Sequence, residues 1–357
     1  MDIESKIELI KQVGEEILTE EELKNLLETK SHPIAYDGFE PSGTDIHIAQ
    51  GILRSININK MAKAGVKFKM LVADWHGWAN NKMGGDLEKI QTVGKYMIEV
   101  WKHCGMKLEN VEFIWANDFV KEPEYWKKVM QVARHSTVNR IVRTGQIMGR
   151  KEAEVQQASQ ILYPCMQCAD IFELKADITQ LGMDQRKVNV LARELGPTLG
   201  FWKPVVVSHH MLMGLGEPPK GEGVDRVIDI KMSKSKPDTA IFMNDSEETI
   251  KRKISKAYCP AKIVDENPLM EYSKYLIFEN FNSLEMKRPE KFGGDLVIEN
   301  YKELEKIYSE GKIHPMDLKN AVSFYINEMV KPVREKFEKD SRLKKLLETI
   351  KEFEVTR

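Results

Sequence analysis

The sequence predicts an α/β fold: a parallel sheet covered by helices, followed by a smaller all-helical domain. Three observations carry this. Short apolar strands alternate with helix-period segments between His32 and His210. From Ile241 onward the pattern is helical. No apolar run approaches the roughly 18 residues of a membrane span. The 357 residues are 42% hydrophobic, enough for a large core and more than one domain. The formal net charge of −1 gives no global attraction for nucleic acid or acidic membrane, so any polyanion must be held by a local patch.

Taken in order, residues 2–30 read as two helices, the second opened by the capping-box pattern Thr19-Glu20-Glu21-Glu22. HPIAYDGF (32–39) is a strand ending at Gly38, and a helix runs from Ile46 to Lys63. VKFKMLVADW (66–75) is a second strand, Leu87–His103 a long helix and VEFIWA (111–116) a third strand. Helices dominate 122–168 as an insertion. Alternation resumes with strand ADITQLG (176–182), helix 184–195 and strand PVVVSHH (204–210). Loop 211–240 is a hinge, and KMSKSKPDTA (231–240) within it reads as exposed. The expected domains are 1–240 and 241–357. Helix starts show at Asp245-Ser246-Glu247-Glu248, Pro315 and Pro332, and the last 18 residues read as a helix extension.

The amino terminus, MDIESKIELIKQ, lacks the apolar core of a signal peptide and the arginine bias of a transit peptide, which points to a cytoplasmic protein. Cys165-Met166-Gln167-Cys168 has C-x-x-C spacing, but Cys104 and Cys259 stand alone and provide no second pair for zinc. Reduced, packed cysteines and no metal site are expected.

In such a sheet, ligands bind at the carboxyl ends of strands. GFEPSGTDIHIAQG (38–51), ADWHGW (73–78) and GMDQRK (182–187) follow three strands there. PSG (41–43) with HIAQ (47–50) at a helix start suggests a phosphate site, weakly by itself. Tyr163 and Gln167 are four apart and Asp170 lies three further on, so one helix face carries a polar stripe.

Two blocks together are specific. PSG-x-x-x-HIAQ after the first strand and KMSKS (231–235) after the last resemble the two signatures of class I aminoacyl-tRNA synthetases, whose catalytic domain is Rossmann-like. YDGFEPSG, ADWH, LYPCMQCAD, GMDQRK, AYCP, KRPEKFGGDL and HPMDLKN occur in order over nearly the whole chain. They resemble the tyrosyl-tRNA synthetases of archaeal and eukaryotic type. Tryptophan-specific enzymes of the same scaffold fit less well. A catalytically silent RNA-binding homologue is the third reading, because HIAQ departs from the usual His-x-Gly-His: Ala49 replaces glycine and Gln50 replaces the second histidine.

The resemblance implies activation of tyrosine by ATP, with Mg²⁺ arriving on the nucleotide, and transfer to a cognate tRNA. It implies that His47, Gln50, Lys231 and Lys234 act on the phosphates, helped by Ser42, Met232, Ser233 and Ser235. Gly182 and Asp184 hold the ribose. Tyr36 and Asp170 read the substrate hydroxyl, while Tyr163, Gln167 and Gln185 accept from its ammonium. Gly38 and His76 line the pocket. For RNA it implies acceptor-stem reading by Arg143, within a stripe of seven Lys or Arg over 125–151 that contains no acid. Phe292, His314 and Asp317 match anticodon contacts. It also implies a homodimer, and no membrane partner.

Overall fold

The structure is a computed structural model that describes residues 1–149, 157–219 and 230–354. Among the described residues six strands form the main sheet: β1 (Gly14–Leu18), β2 (Ile34–Phe39), β3 (Lys67–Val72), β4 (Val111–Trp115), β5 (Ile178–Gly182) and β6 (Val205–His209). Their order is β1-β6-β5-β2-β3-β4. All neighbours are parallel except β1, which pairs antiparallel with β6. β5 and β3 flank β2, so its carboxyl end lies centrally, where the chain order of the strands reverses.

Alternation along the strands divides the core. Ala35 and Phe39 of β2, with Phe68, Met70 and Val72 of β3, face one apolar cluster. Tyr36 and Leu71 face another. The first cluster is continuous with helices of the C-terminal part, through Leu318, Val322, Val330 and Phe337. The second packs helices Pro123–Arg134, Val138–Thr144, Ala158–Glu173 and Arg186–Thr198 on the opposite face. Among the described residues no helix is long and apolar enough to cross a membrane.

Several expectations need correction. Residues 2–30 hold two helices, Ile3–Lys11 and Glu20–Thr29, with the Thr19–Glu22 capping box present, but strand β1 lies between them. GEEIL has two acids on a five-residue stretch, a pattern that only an edge position tolerates. The segment after β2 is no uniform helix: Ala49–Leu53 is a π-helical turn that passes into the α-helix Arg54–Lys63. Pro332 starts nothing; it sits inside the helix Pro315–Lys339. The C-terminal part is not all-helical either, because β7 (Leu284–Met286) and β8 (Leu296–Ile298) form an antiparallel pair. Three-residue strands give too little period to read from sequence. Helix Ser341–Lys351 folds back on the helix Leu87–His103, where Arg342 meets Glu99 at 3.3 Å.

The hinge loop pairs with itself and is tied to both parts, by Lys231 to Asp184 at 2.7 Å and by the Met213 N–H, which donates to Glu271 Oε2 at 2.9 Å. Met213 bridges Lys231, and Met232 N–H donates to the Leu212 carbonyl at 2.8 Å. Residues 220–229 of the expected hinge lie outside the described residues. At its start His210 stacks on Tyr275 with ring centroids 4.5 Å apart, between Glu15 at 3.1 Å and Glu271 at 3.2 Å. Burial alone would lower this imidazole, but the two carboxylates push it up to about 9. Its folded value lies above the unfolded one, so the contribution is complete below pH ~6.5 and is lost as pH rises through about 9. We expect His210→Gln to cost about 1 kcal/mol at pH 6, discounted for the half-exposed Glu15, and almost nothing at about pH 10. Paired thermal melts at the two pH values check this; an equal loss at both would mean that packing, not charge, is what His210 contributes.

Candidate active site

Tyr36 points from β2 into the second core and is buried. Gly38 follows it with no room to spare: a Cβ there would lie 2.8 Å from the Tyr36 hydroxyl oxygen. Asp170, fully buried on the helix Ala158–Glu173, is the charged group of this pocket. Its Oδ1 accepts from the Tyr125 hydroxyl at 2.9 Å. Its Oδ2 lies 2.8 Å from His76 Nε2, yet the approach is poorly angled, and neither atom has an aligned hydrogen-bond partner. One carboxylate oxygen is therefore held by Tyr125, and the other is paired with His76 without an aligned hydrogen bond. Burial would lower the His76 imidazole, but Asp170 outweighs it and holds the ring above its ordinary range. Burial first, and Asp170 second, push the Tyr36 phenol well up, so it stays a neutral donor.

The rest of the polar stripe packs beside these groups. The Tyr163 ring meets His76 edge-on at 5.1 Å. Gln167 Nε2 donates to Gln185 Oε1 at 3.0 Å, and Gln185 Nε2 donates to the Ile147 carbonyl at 2.8 Å. Helix spacing placed Tyr163, Gln167 and Asp170 together; the fold adds His76 from the segment after β3 and Gln185 from the segment after β5.

His47 is buried, bridges Phe242, and accepts weakly from the Gln50 N–H through Nδ1 at 3.3 Å. Burial, then Lys234, Lys231 and Arg54, hold its imidazole well below the usual range, so it is neutral at pH 7. Gln50 Oε1 is buried without a partner, while its carbonyl accepts from Trp101 Nε1 at 2.8 Å. At Gly182 a Cβ would press on Met211 Sδ and lie 2.6 Å from Asp184 Oδ1, so both side-chain ends would have to move.

The KMSKS segment is less exposed than its sequence suggests. Met232 is buried, and Lys231 Nζ pairs with Asp184 Oδ2 at 2.7 Å. Two residues expected to hold the nucleotide thus hold each other. Lys234 lies across Gly43, whose Cβ would sit 3.1 Å from Lys234 Cδ, and its Nζ is buried with no hydrogen-bond partner among the described residues. Ser233 and Ser235 share a hydroxyl contact at 2.9 Å, and Ser42 is half-buried beside Gly43. Carboxyl ends of a parallel sheet, a lysine loop folded onto a PSG turn and a buried acidic pocket are thus assembled in one place.

A family model described as tRNA synthetases class I (W and Y) matches residues 28–331. The chain belongs to this family. This synthetase is 48% identical over 359 aligned residues to the cytoplasmic tyrosine–tRNA ligase 1 of Arabidopsis thaliana, covering 100% of this chain and 90% of that protein. It is 43% identical to the tyrosine–tRNA ligase of Thermococcus kodakarensis, with 100% of both chains covered. Among solved structures, the tyrosyl-tRNA synthetase of Pyrococcus horikoshii in complex with L-tyrosine superposes with a TM-score of 0.90 at 39% identity, over 98% of this chain and 100% of that one.

The expected RNA-facing residues of this synthetase lie on other elements. Arg143 is exposed at the end of the helix Val138–Thr144. The cationic stripe is partly neutralised: Lys127 pairs with Glu124, Lys128 with Glu173 and Arg140 with Glu194. Arg150 and Lys151 lie outside the described residues, as does the side chain of Phe292. His314 caps the helix Pro315–Lys339 through Nδ1, which accepts from the Met316 N–H at 3.1 Å, so Asp317 in that first turn is not the cap.

Sequence reasoning missed Tyr125, Trp101 and the ion pair of Asp37 with Arg54 at 2.9 Å. Tyr125 lies 45 residues from Asp170, and nothing in local spacing reports such a contact. Asp37 lies within YDGFEPSG on strand β2, and a carboxylate on a central strand is itself a signal that a cation must come to it. The C-x-x-C cysteines are buried and free, and burial pushes the Cys165 thiol up to about 11 and Cys168 higher still. Among the described residues no three His, Cys, Asp or Glu side chains cluster as a metal site.

Proposed function

We propose that the chain is a tyrosine–tRNA ligase: it joins tyrosine to ATP as tyrosyl-adenylate, releases pyrophosphate, and transfers tyrosine to the 3′ end of its tRNA. One observation carries the choice of amino acid. The Asp170 carboxylate, fully buried beside Tyr36, keeps Oδ2 free of an aligned donor while Tyr125 fixes Oδ1. A substrate hydroxyl gives that oxygen an aligned donor, and phenylalanine offers none; tyrosyl enzymes are themselves the standard illustration of this kind of rejection. The relatives named as tyrosine ligases agree with it, against the tryptophan reading.

In this reading the tyrosine carboxylate attacks the α-phosphorus, and the bond to pyrophosphate breaks. The nucleophile is already ionised, so the site supplies position and charge rather than a base. Lys234 offers an unpaired ammonium to the phosphates. Lys231 exchanges Asp184 for the nucleotide, freeing Asp184 for the ribose. His47 and Gln50 act as neutral hydrogen-bonding groups below them. Gln167, Tyr163 and Gln185 receive the ammonium. Mg²⁺ arrives on the triphosphate, whose charge it shares. Exposed Met130 and Val138, on the helices Pro123–Arg134 and Val138–Thr144, suit a homodimer contact in that region. A division at residue 240 and a cytoplasmic location belong to the same reading.

ATP–pyrophosphate exchange tests it. Tyrosine should drive exchange and tryptophan should not; no exchange with either would favour the silent RNA binder. Arg143→Ala should lower tRNA charging by about 10-fold or more at unchanged tyrosine-dependent exchange, since exchange needs no RNA. Equal losses in both assays would make Arg143 a support of the fold.

A further inference from the structure

Arg54 opens the α-helix that follows the π-helical turn, four residues after Gln50, and its guanidinium reaches back under β2. Nε lies 2.9 Å from Asp37 Oδ2, and Nη2 is 3.5 Å from the Gly38 carbonyl. The ring of Trp101 lies 5.6 Å from the guanidinium carbon, and the same indole donates to the Gln50 carbonyl. The side chain is only 12% exposed, yet Nη1 is buried and has no acceptor among the described residues. A planar guanidinium offers five donors, and burial without acceptors is costly, so a donor left over in a cavity marks a place for an anion.

The position of this group is specific. Arg54 ties the strand carrying Tyr36 to the turn carrying Gln50, so it lies between the expected amino-acid and nucleotide subsites. Its charge is felt by groups from four directions: Tyr36, His47, His209 and Lys234. The lysines of the 231–235 segment are carried on a loop, whereas Arg54 is fixed by a strand, a helix and an aromatic face. In HIAQ a glutamine, which carries no charge, stands in place of a histidine, and Arg54 supplies a permanent cation one turn later.

We propose that Arg54 is the fixed cation of this site: Nη1 donates to an anionic oxygen where the two substrates meet, while Asp37 and Trp101 hold the guanidinium in place. This rests on the ligase reading. Two substrate groups have the right chemistry, the tyrosine carboxylate and the ATP α-phosphate.

The test compares full-length parent, Arg54→Met, Arg54→Lys and the double variant Asp37→Asn/Arg54→Met. Each is measured for tyrosine-dependent exchange, for binding of tyrosine and of tyrosinol, which lacks the carboxylate, and for melting temperature. Arg54→Met should lose about 100-fold or more in exchange, the scale for removing one preorganised donor. Arg54→Lys should recover part of this. The double variant removes both buried charges, so it should regain thermal stability without regaining exchange. Weaker tyrosine binding with unchanged tyrosinol binding assigns the carboxylate; a lower kcat or a raised KM for ATP with both ligands bound normally assigns the phosphate. Recovery of exchange together with stability in the double variant would overturn the proposal, leaving Arg54 as the counter-ion of Asp37 alone. Parental rates in Arg54→Met would overturn it too. A parent without tyrosine-dependent exchange would instead remove the ligase reading, and this proposal with it.

Discussion

Asp170→Asn is expected to lose about 100-fold or more in kcat/KM for tyrosine and most of its discrimination against phenylalanine. The carboxylate is fully buried, with Tyr125 on one oxygen and His76 close to the other. On the proposed reading, the hydroxyl of bound tyrosine adds a donor to this carboxylate, and phenylalanine adds none. The amide keeps the shape but removes the charge, so the penalty on phenylalanine shrinks while the bond to tyrosine weakens. Asp170→Ala goes further, because it also strands Tyr125 and His76, and should cost about 3–5 kcal/mol of stability. The amide variant separates recognition from folding. Measuring kcat/KM for both amino acids decides the matter: unchanged rejection of phenylalanine by Asp170→Asn would make the residue a structural partner of Tyr125 and nothing more.

Lys234→Met is expected to melt higher than the parent at pH 7 and to form adenylate about 100-fold more slowly. Burial is the main reason the Lys234 ammonium falls to about 8, against the pull of Asp45 and Glu40. The folded value is below the unfolded one near 10.5, so between these values the unfolded chain binds more protons and stability rises with pH. At pH 7 the folded protein carries the full penalty of a desolvated cation without a partner. Methionine removes that penalty and packs on Gly43 in the same space. The stability gain should therefore disappear above about pH 10.5. In the free parent enzyme, exchange should decline as pH rises through about 8, when the ammonium is lost. Thermal melts and exchange rates on the same preparations check both halves. A variant that melts lower and reacts normally would show Lys234 to be an anchor of the loop and not a phosphate ligand.

The sequence by itself determined the strand–helix alternation, because period-2 and period-3.6 burial are written locally in residues such as Phe68, Met70 and Val72 or in Leu87–His103. It determined the Thr19 cap for the same reason: the partners are three residues apart. It also put Tyr163, Gln167 and Asp170 on one helix face. The tertiary structure alone decided what lies beyond a few residues. Strand β1 contains two exposed-type acids and is a strand only because β6 offers it a free edge. The π-helical turn at Ala49–Leu53 exists where Trp101, 51 residues from Gln50, takes the Gln50 carbonyl. The partners of Asp170 and Asp37 come from Tyr125, His76 and Arg54, on separate elements. A buried charge must be met by a donor, but local sequence does not say which one. Only the packing of the whole chain fixes that, since the energy of pairing depends on distance in space and not on distance along the chain.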